Sequence, residues 1–122
     1  DVLEVTAKRL TERKLRRVAL FGTSFTINAK LFGALDAFDV VRPSDNEVDE
    51  IHHIYLALAT QGRTSDDNIA KLREIADTLQ QRDHVEAIVL AGTDLNLIFN
   101  EANAGFPAVD CAAHDLRGRR LR

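Results

Sequence analysis

The sequence predicts an α/β fold: a flavodoxin-like parallel sheet of about four strands, order 2-1-3-4, with helices on both faces. Three observations carry this expectation. Short unbroken apolar runs occur at Val18-Ala-Leu-Phe21 and Ala87-Ile-Val-Leu-Ala91, and continuous apolarity over so few residues marks a strand covered on both faces. Each run closes on a glycine and hydroxyl residues, Gly22-Thr23-Ser24 and Gly92-Thr93-Asp94, before a helix-periodic segment, which is how a strand feeds a helix. Strands and helices alternate almost throughout, so right-handed crossovers distribute the helices over the sheet.

The elements follow in order. Leu3, Ala7 and Leu10 recur at helical spacing among charges in residues 1–14, an amphipathic first helix. Lys14-Leu-Arg-Arg17 leads into the strand at Val18. After Gly22, the residues Ile27, Leu31 and Leu35 form the stripe of a second helix, with Thr23, Ser24 or Thr26 as its cap. Phe38-Asp-Val-Val-Arg42 is the second strand. Pro43-Ser44 ends it, and Ser44 with Glu47 makes a capping-box pattern. The helix begun there carries Val48, Ile51, Tyr55 and Leu58 on one face and stops at Gly62. Thr64 or Ser65 caps the next, in which Ile69, Leu72, Ile75, Ala76 and Leu79 repeat at helical intervals. The polar turn Gln81 to Glu86 returns the chain to the strand at Ala87. A short helix from Asp94 to about Asn103, the turn Ala104-Gly105 and the strand Phe106-Pro-Ala-Val-Asp110 complete the pattern. No repeat, low-complexity segment or long linker interrupts residues 1–122, so a single α/β domain is expected.

Composition narrows the function. With 45% apolar and 29% charged residues the chain is an ordinary globular sequence. Its single cysteine precludes an internal disulfide and suits the reducing cytoplasm. No apolar run is long enough to span a bilayer as a helix, and a net charge of −3 argues against a general nucleic-acid binder. His52 and His53 are adjacent, hence on different sides of their helix, which is not metal-ligand spacing; neither a metal nor a cofactor is expected. The chain begins at Asp1 instead of Met, as a piece of a longer protein would, and Arg117-Gly-Arg-Arg-Leu-Arg122 is read as a solvated basic end.

The site follows from topology. If the strands at Val18 and Ala87 are neighbours, their turns face each other at the carboxyl edge, where strand order reverses and such folds bind ligands. Hydroxyls and unpaired N–H groups at helix starts attract carboxylate or phosphate, so a small anion is the expected ligand. Helix capping uses the same geometry, and for Thr23, Ser24 and Thr26 the two roles are equally open.

These motifs, taken together, resemble the carboxyl-terminal half of the aspartate/glutamate racemase family, over about Val18 to His114. The likeness rests on Leu20-Phe-Gly-Thr-Ser-Phe-Thr26, on Val41-Arg-Pro-Ser44 with Glu47 and the helix from Ile51 to Leu58, on Gly62-Arg63, on Val89-Leu-Ala-Gly-Thr-Asp-Leu95, and on Pro107-Ala-Val-Asp110. The resemblance implies a pair of α/β domains closing on the substrate without pyridoxal phosphate, one cysteine from each half acting as acid and base. The second cysteine belongs to a Gly-Cys-Thr-Glu motif, and here its position holds Gly92, while Thr93 and Asp94 match the Thr and Glu. Glycine carries no proton, so the catalytic residues stay unassigned and two-thiol chemistry is not supported. The substrate-binding set implied is Thr23, Ser24, Thr26, Arg63, Gly92, Thr93 and Asp94. Arg63 stands where the family often places a cation that grips a distal carboxylate. Asp94, at a helix start, is a brace rather than a base. Cys111 does not align with the family's cysteine, and His114 lies one residue short of a histidine frequent in this region.

The function expected is racemisation of aspartate or glutamate by α-proton abstraction and return, with a missing amino-terminal half-domain or a second copy (a homo-oligomer) as partner. A non-catalytic carboxylate-binding member of the same fold is the alternative. A receiver-like regulatory domain would instead place an acidic cluster after the first strand, where this chain has Gly22-Thr23.

Overall fold

Strand β1 (Arg17–Phe21) is central, flanked on one side by β2 (Asp39–Val40) and on the other by β3 (Ala87–Leu90), which carries β4 (Ala108–Asp110) at the far edge. This is the arrangement in the computed structural model, which describes residues 2–111; His114 and the basic end 117–122 lie outside the described residues. All pairings are parallel and the order is β2-β1-β3-β4, as expected. Every residue of β3 is buried, as are all of β1 after Arg17. Burial on alternate sides of a strand requires a layer on each face, which the helices supply.

The core joins Leu20, Phe21, Ile88 and Leu90 of the sheet to Ile51 and Leu58 of α3 (Asp45–Gln61), Leu72 and Leu79 of α4 (Asp66–Asp83), and Phe99. Each such side chain contributes about 1.5–3 kcal/mol by leaving water. Helix α1 (Val2–Glu12) carries the stripe of Leu3, Ala7 and Leu10 and ends two residues before the expected bound at Lys14, which turns the chain with φ 59°.

Helix α3 starts on the capping box read from the sequence. The Ser44 Oγ accepts from Glu47 N at 3.3 Å and the Glu47 carboxylate accepts from Ser44 N at 2.8 Å. Gly62 closes the helix in the left-handed region, φ 73°. Ser65, not Thr64, caps α4. Ser44→Ala orphans the N–H of Glu47 and is expected to cost about 1 kcal/mol; urea unfolding should show a lower midpoint at unchanged slope.

Three expectations need correction. The second helix is only Ser24–Asn28, here α2, and Leu31 and Leu35 reach the core through turns with Lys30, Leu31, Phe32 and Gly33 at positive φ. Burying both leucines took precedence over helical continuity, and bonds such as Leu31 N to Thr26 O keep the backbone paired. The segment after Gly92 is a 3-10 helix, Thr93–Leu97, not a helix reaching Asn103. Asn100 Oδ1 accepts from the N–H groups of Ala102 and Asn103, and Asn103 Oδ1 from that of Asn100, so side chains take donors a helix would have used. Strands β2 and β4 are shorter than read; β4 begins only after Pro107, which has no N–H to give a ladder.

Candidate functional site

Register brings the two turns together. Phe21 pairs with Leu90, and Ala91 N donates to Phe21 O at 2.8 Å, so β1 and β3 end level with each other. A Cβ on Gly22 would lie 3.4 Å from Ala91 O, which measures how closely the turns abut. At the first turn Thr23 Oγ1 accepts from Thr26 N at 3.1 Å and donates to Thr26 Oγ1 at 3.0 Å, capping α2. Capping therefore occupies Thr23 and the buried Thr26. Ser24 N donates to His52 Nδ1 at 2.8 Å. That bond needs the Nδ1 lone pair, which puts the proton of the neutral imidazole on Nε2.

Helix α3 forms the wall behind both turns. His52 and Tyr55, three residues apart and so on one helical face, meet the first and second turn respectively. Tyr55 Oη donates to Asp94 Oδ2 at 3.3 Å. Gly92 is extended, φ −159° and ψ 135°, a conformation open to any residue. What sets it apart is space: a Cβ there would lie 2.4 Å from Tyr55 Oη and 2.5 Å from Cε1. The phenol fills the volume that a side chain at position 92 would take. Burial pushes the Tyr55 hydroxyl above its ordinary pKa, and the Asp94 carboxylate pushes it the same way, so at neutral pH it is a proton donor, not a base.

The remaining predicted residues divide. Thr93 is exposed as the first residue of the 3-10 helix; the expectation of a capping hydroxyl fails because the cap position falls one residue earlier, on Gly92, which has no side chain to offer. Asp94 is half-buried and held by Tyr55, as a brace would be. Arg63 is exposed two residues past the end of α3, whose last residue, Gln61, already lies about 9 Å along the axis from Tyr55 by helical rise. It is not drawn into the cluster by any described contact. Cys111 follows β4 directly, and burial pushes its thiol up to about 11, which leaves it protonated and a poor base at neutral pH. Among the described residues no group of His, Cys, Asp or Glu could hold a metal, and no helix is long and apolar enough to cross a membrane.

Sequence reading missed His52 as a site residue and assigned Tyr55 only to the apolar stripe. Their spacing of three on a helix following the second strand was the available signal. A hollow of about 450 Å³ is lined by Asn46, Asp49, Glu50, His53, Ile54 and Asn68. It uses the other histidine and none of the residues of the two turns. Large apolar side chains are exposed elsewhere on the chain: Phe25 is 67% exposed next to Ser24 in sequence, Leu97 56% in the 3-10 helix and Leu56 42% in α3. Phe32, 59% exposed, lies with its ring 5.7 Å from that of Phe25.

No family model matches the sequence, and no curated protein sequence matches it. Solved structures do. The fold overlays on a candidate Asp/Glu racemase from Yersinia pestis with a TM-score of 0.74 and 18% identity, covering 90% of this chain and 49% of that one. An aspartate racemase homologue from Pyrococcus horikoshii OT3 gives 0.74 at 23% identity over 91% of this chain and 50% of its own. Picrophilus torridus aspartate racemase gives 0.58 at 23% identity, over 91% and 46%. The chain thus has the fold of Asp/Glu racemase homologues and spans about half their length.

Proposed function

We propose that this chain is the carboxyl-terminal half of a two-domain, racemase-type isomerase of acidic amino acids, aspartate or glutamate, working in the cytoplasm without pyridoxal phosphate. The observation that carries the reading is the pairing of two βα turns, at Gly22 and Gly92, at the switch point of a sheet whose fold is shared with Asp/Glu racemase homologues. In this reading Ser24, Thr93 and the backbone around Gly92 hold the substrate, with Thr23 and Thr26 shaping the first turn and Asp94 the second. Arg63 would reach a distal carboxylate only from its exposed position at the end of α3, through the length of its side chain. Inversion at the α-carbon requires that one group remove the proton from one face and another deliver a proton to the opposite face. Position 92 offers no thiol for either task, so the base belongs to the opposing half or to another residue.

The exposed ring pair of Phe25 and Phe32, following the first turn in the chain, supports a covering partner, either the other half-domain or a second copy of this chain. Neighbouring exposed aromatic rings favour contact with another surface. Closure would also exclude water, strengthening the bonds to a carboxylate inside.

Proton NMR in deuterated water tests the reading directly. Incubated with the full-length protein that contains this chain, D- or L-aspartate or glutamate should lose its α-proton signal as deuterium replaces it, while total amino acid is conserved. Thr93→Ala is expected to slow that loss about tenfold, the effect of one hydrogen bond to a charged group. Binding of these amino acids without any exchange, at every protein concentration tried, would sink the isomerase assignment and leave a carboxylate binder.

A further inference from the structure

We propose that Tyr55, presented from α3, supplies the donor that a side chain at position 92 would otherwise direct into the crevice, so that a bound carboxylate is gripped by a phenol. The inference rests on reading the crevice as a carboxylate site.

Two facts of geometry carry it. Gly92 has extended backbone and is not needed for any left-handed turn, so what the glycine provides is room. That room is filled by one group, the end of the Tyr55 ring, with Oη 2.4 Å from the ideal Cβ position. The exchange moves the functional atom from the turn after β3 to the wall formed by α3.

The chemistry changes with it. A thiol near neutrality can take a proton as well as give one, whereas a phenol beside a carboxylate only gives. The present acceptor is Asp94 Oδ2 at 3.3 Å, long for an O–H···O bond, whose usual distance is about 2.7 Å. Such a bond yields easily to a better-placed carboxylate. The Asp94 charge favours the protonated hydroxyl and holds it beside Gly92 until a ligand arrives. Tyr55 is therefore a binding residue for the substrate's carboxylate, and the proton-abstracting base lies elsewhere.

The composition makes this group directly observable, because Tyr55 is the one tyrosine of the 122 residues and there is no tryptophan. Tyrosine fluorescence and tyrosinate absorbance of the chain report Tyr55 alone. L-aspartate, D-aspartate and succinate would each be titrated, with calorimetry measuring binding independently of the phenol. The expected result is a saturable fluorescence change at the calorimetric midpoint and a tyrosinate titration moved to higher pH by bound ligand. Tyr55→Phe, which keeps the ring, should weaken binding about tenfold. A tyrosinate titration left unmoved by saturating ligand is what a purely packing role for Tyr55 would give, and it overturns the inference. Calorimetric binding that is equally tight in Tyr55→Phe overturns this inference and leaves the proposed function standing. Failure of all three ligands to bind overturns the carboxylate reading itself, and the inference falls with it.

Discussion

Gly92→Cys, the substitution that returns a thiol to the second turn, is expected to destabilise the protein by roughly 1–3 kcal/mol, the usual range for overpacking a filled site. A Cβ at 2.4 Å from Tyr55 Oη and 2.5 Å from Cε1 cannot be accommodated without moving the ring. The ring can move only by giving up its bond to Asp94 and leaving its place against the second turn. Urea unfolding of Gly92→Cys, Tyr55→Ala and the double variant checks this. The two single losses should exceed the loss in the double variant by at least about 1 kcal/mol, since removing the phenol opens the volume the thiol needs. Strict additivity would show that the two positions do not share that volume. The same cycle bears on activity. A thiol restored beside an intact Tyr55 has no space to approach a ligand, so proton exchange should not improve in Gly92→Cys alone.

Much of the fold was legible because its determinants are local. Ser44 with Glu47, Gly62, Ser65 and the unbroken apolar run from Ala87 each fix an element through chemistry within a few residues, and alternation then sets sheet order. What escaped was non-local or competitive. The stripe of Ile27, Leu31 and Leu35 has helical spacing, yet the crossover between β1 and β2 buries the same leucines through residues in the left-handed region. Asn100 and Asn103 are poor helix formers, but only the folded chain shows each bonding the other's backbone. In the site, both turns and their register could be anticipated. The partner of Gly92 could not, since nothing in sequence reveals that a side chain 37 positions earlier fills its space. His52 and Tyr55 become site residues only when α3 is laid across the ends of β1 and β3.

Glu101→Gln is expected to cost about 3 kcal/mol at pH 7, and the penalty should vanish in acid. Burial of the Glu101 carboxyl pushes its pKa up, but the guanidinium of Arg9 and the N–H of Asp110 outweigh it and hold the group at about 2, against an ordinary 4.5. The Arg9 fork is bidentate, 2.8 and 3.0 Å, and Asp110 N donates at 2.9 Å; both side chains of the ion pair are under one-fifth exposed. A carboxyl whose pKa is depressed on folding contributes stability above its unfolded pKa and loses it as pH falls through the folded value. The window therefore runs from about 4.5 down to about 2, and a gap of that width corresponds to about 3 kcal/mol. Urea unfolding of the wild type and Glu101→Gln at pH 7 and near pH 2 would read it, with the curves converging at the lower pH. A difference that persisted undiminished in acid would show that the side chain acts through packing instead of charge. The pair matters to the crevice because it ties α1 to the segment entering β4, while Asn96 of the 3-10 helix donates to Asp110 at the end of that strand. Loosening Glu101 should thus disturb the 3-10 helix that carries Thr93 and Asp94, and weaken carboxylate binding without touching a ligand.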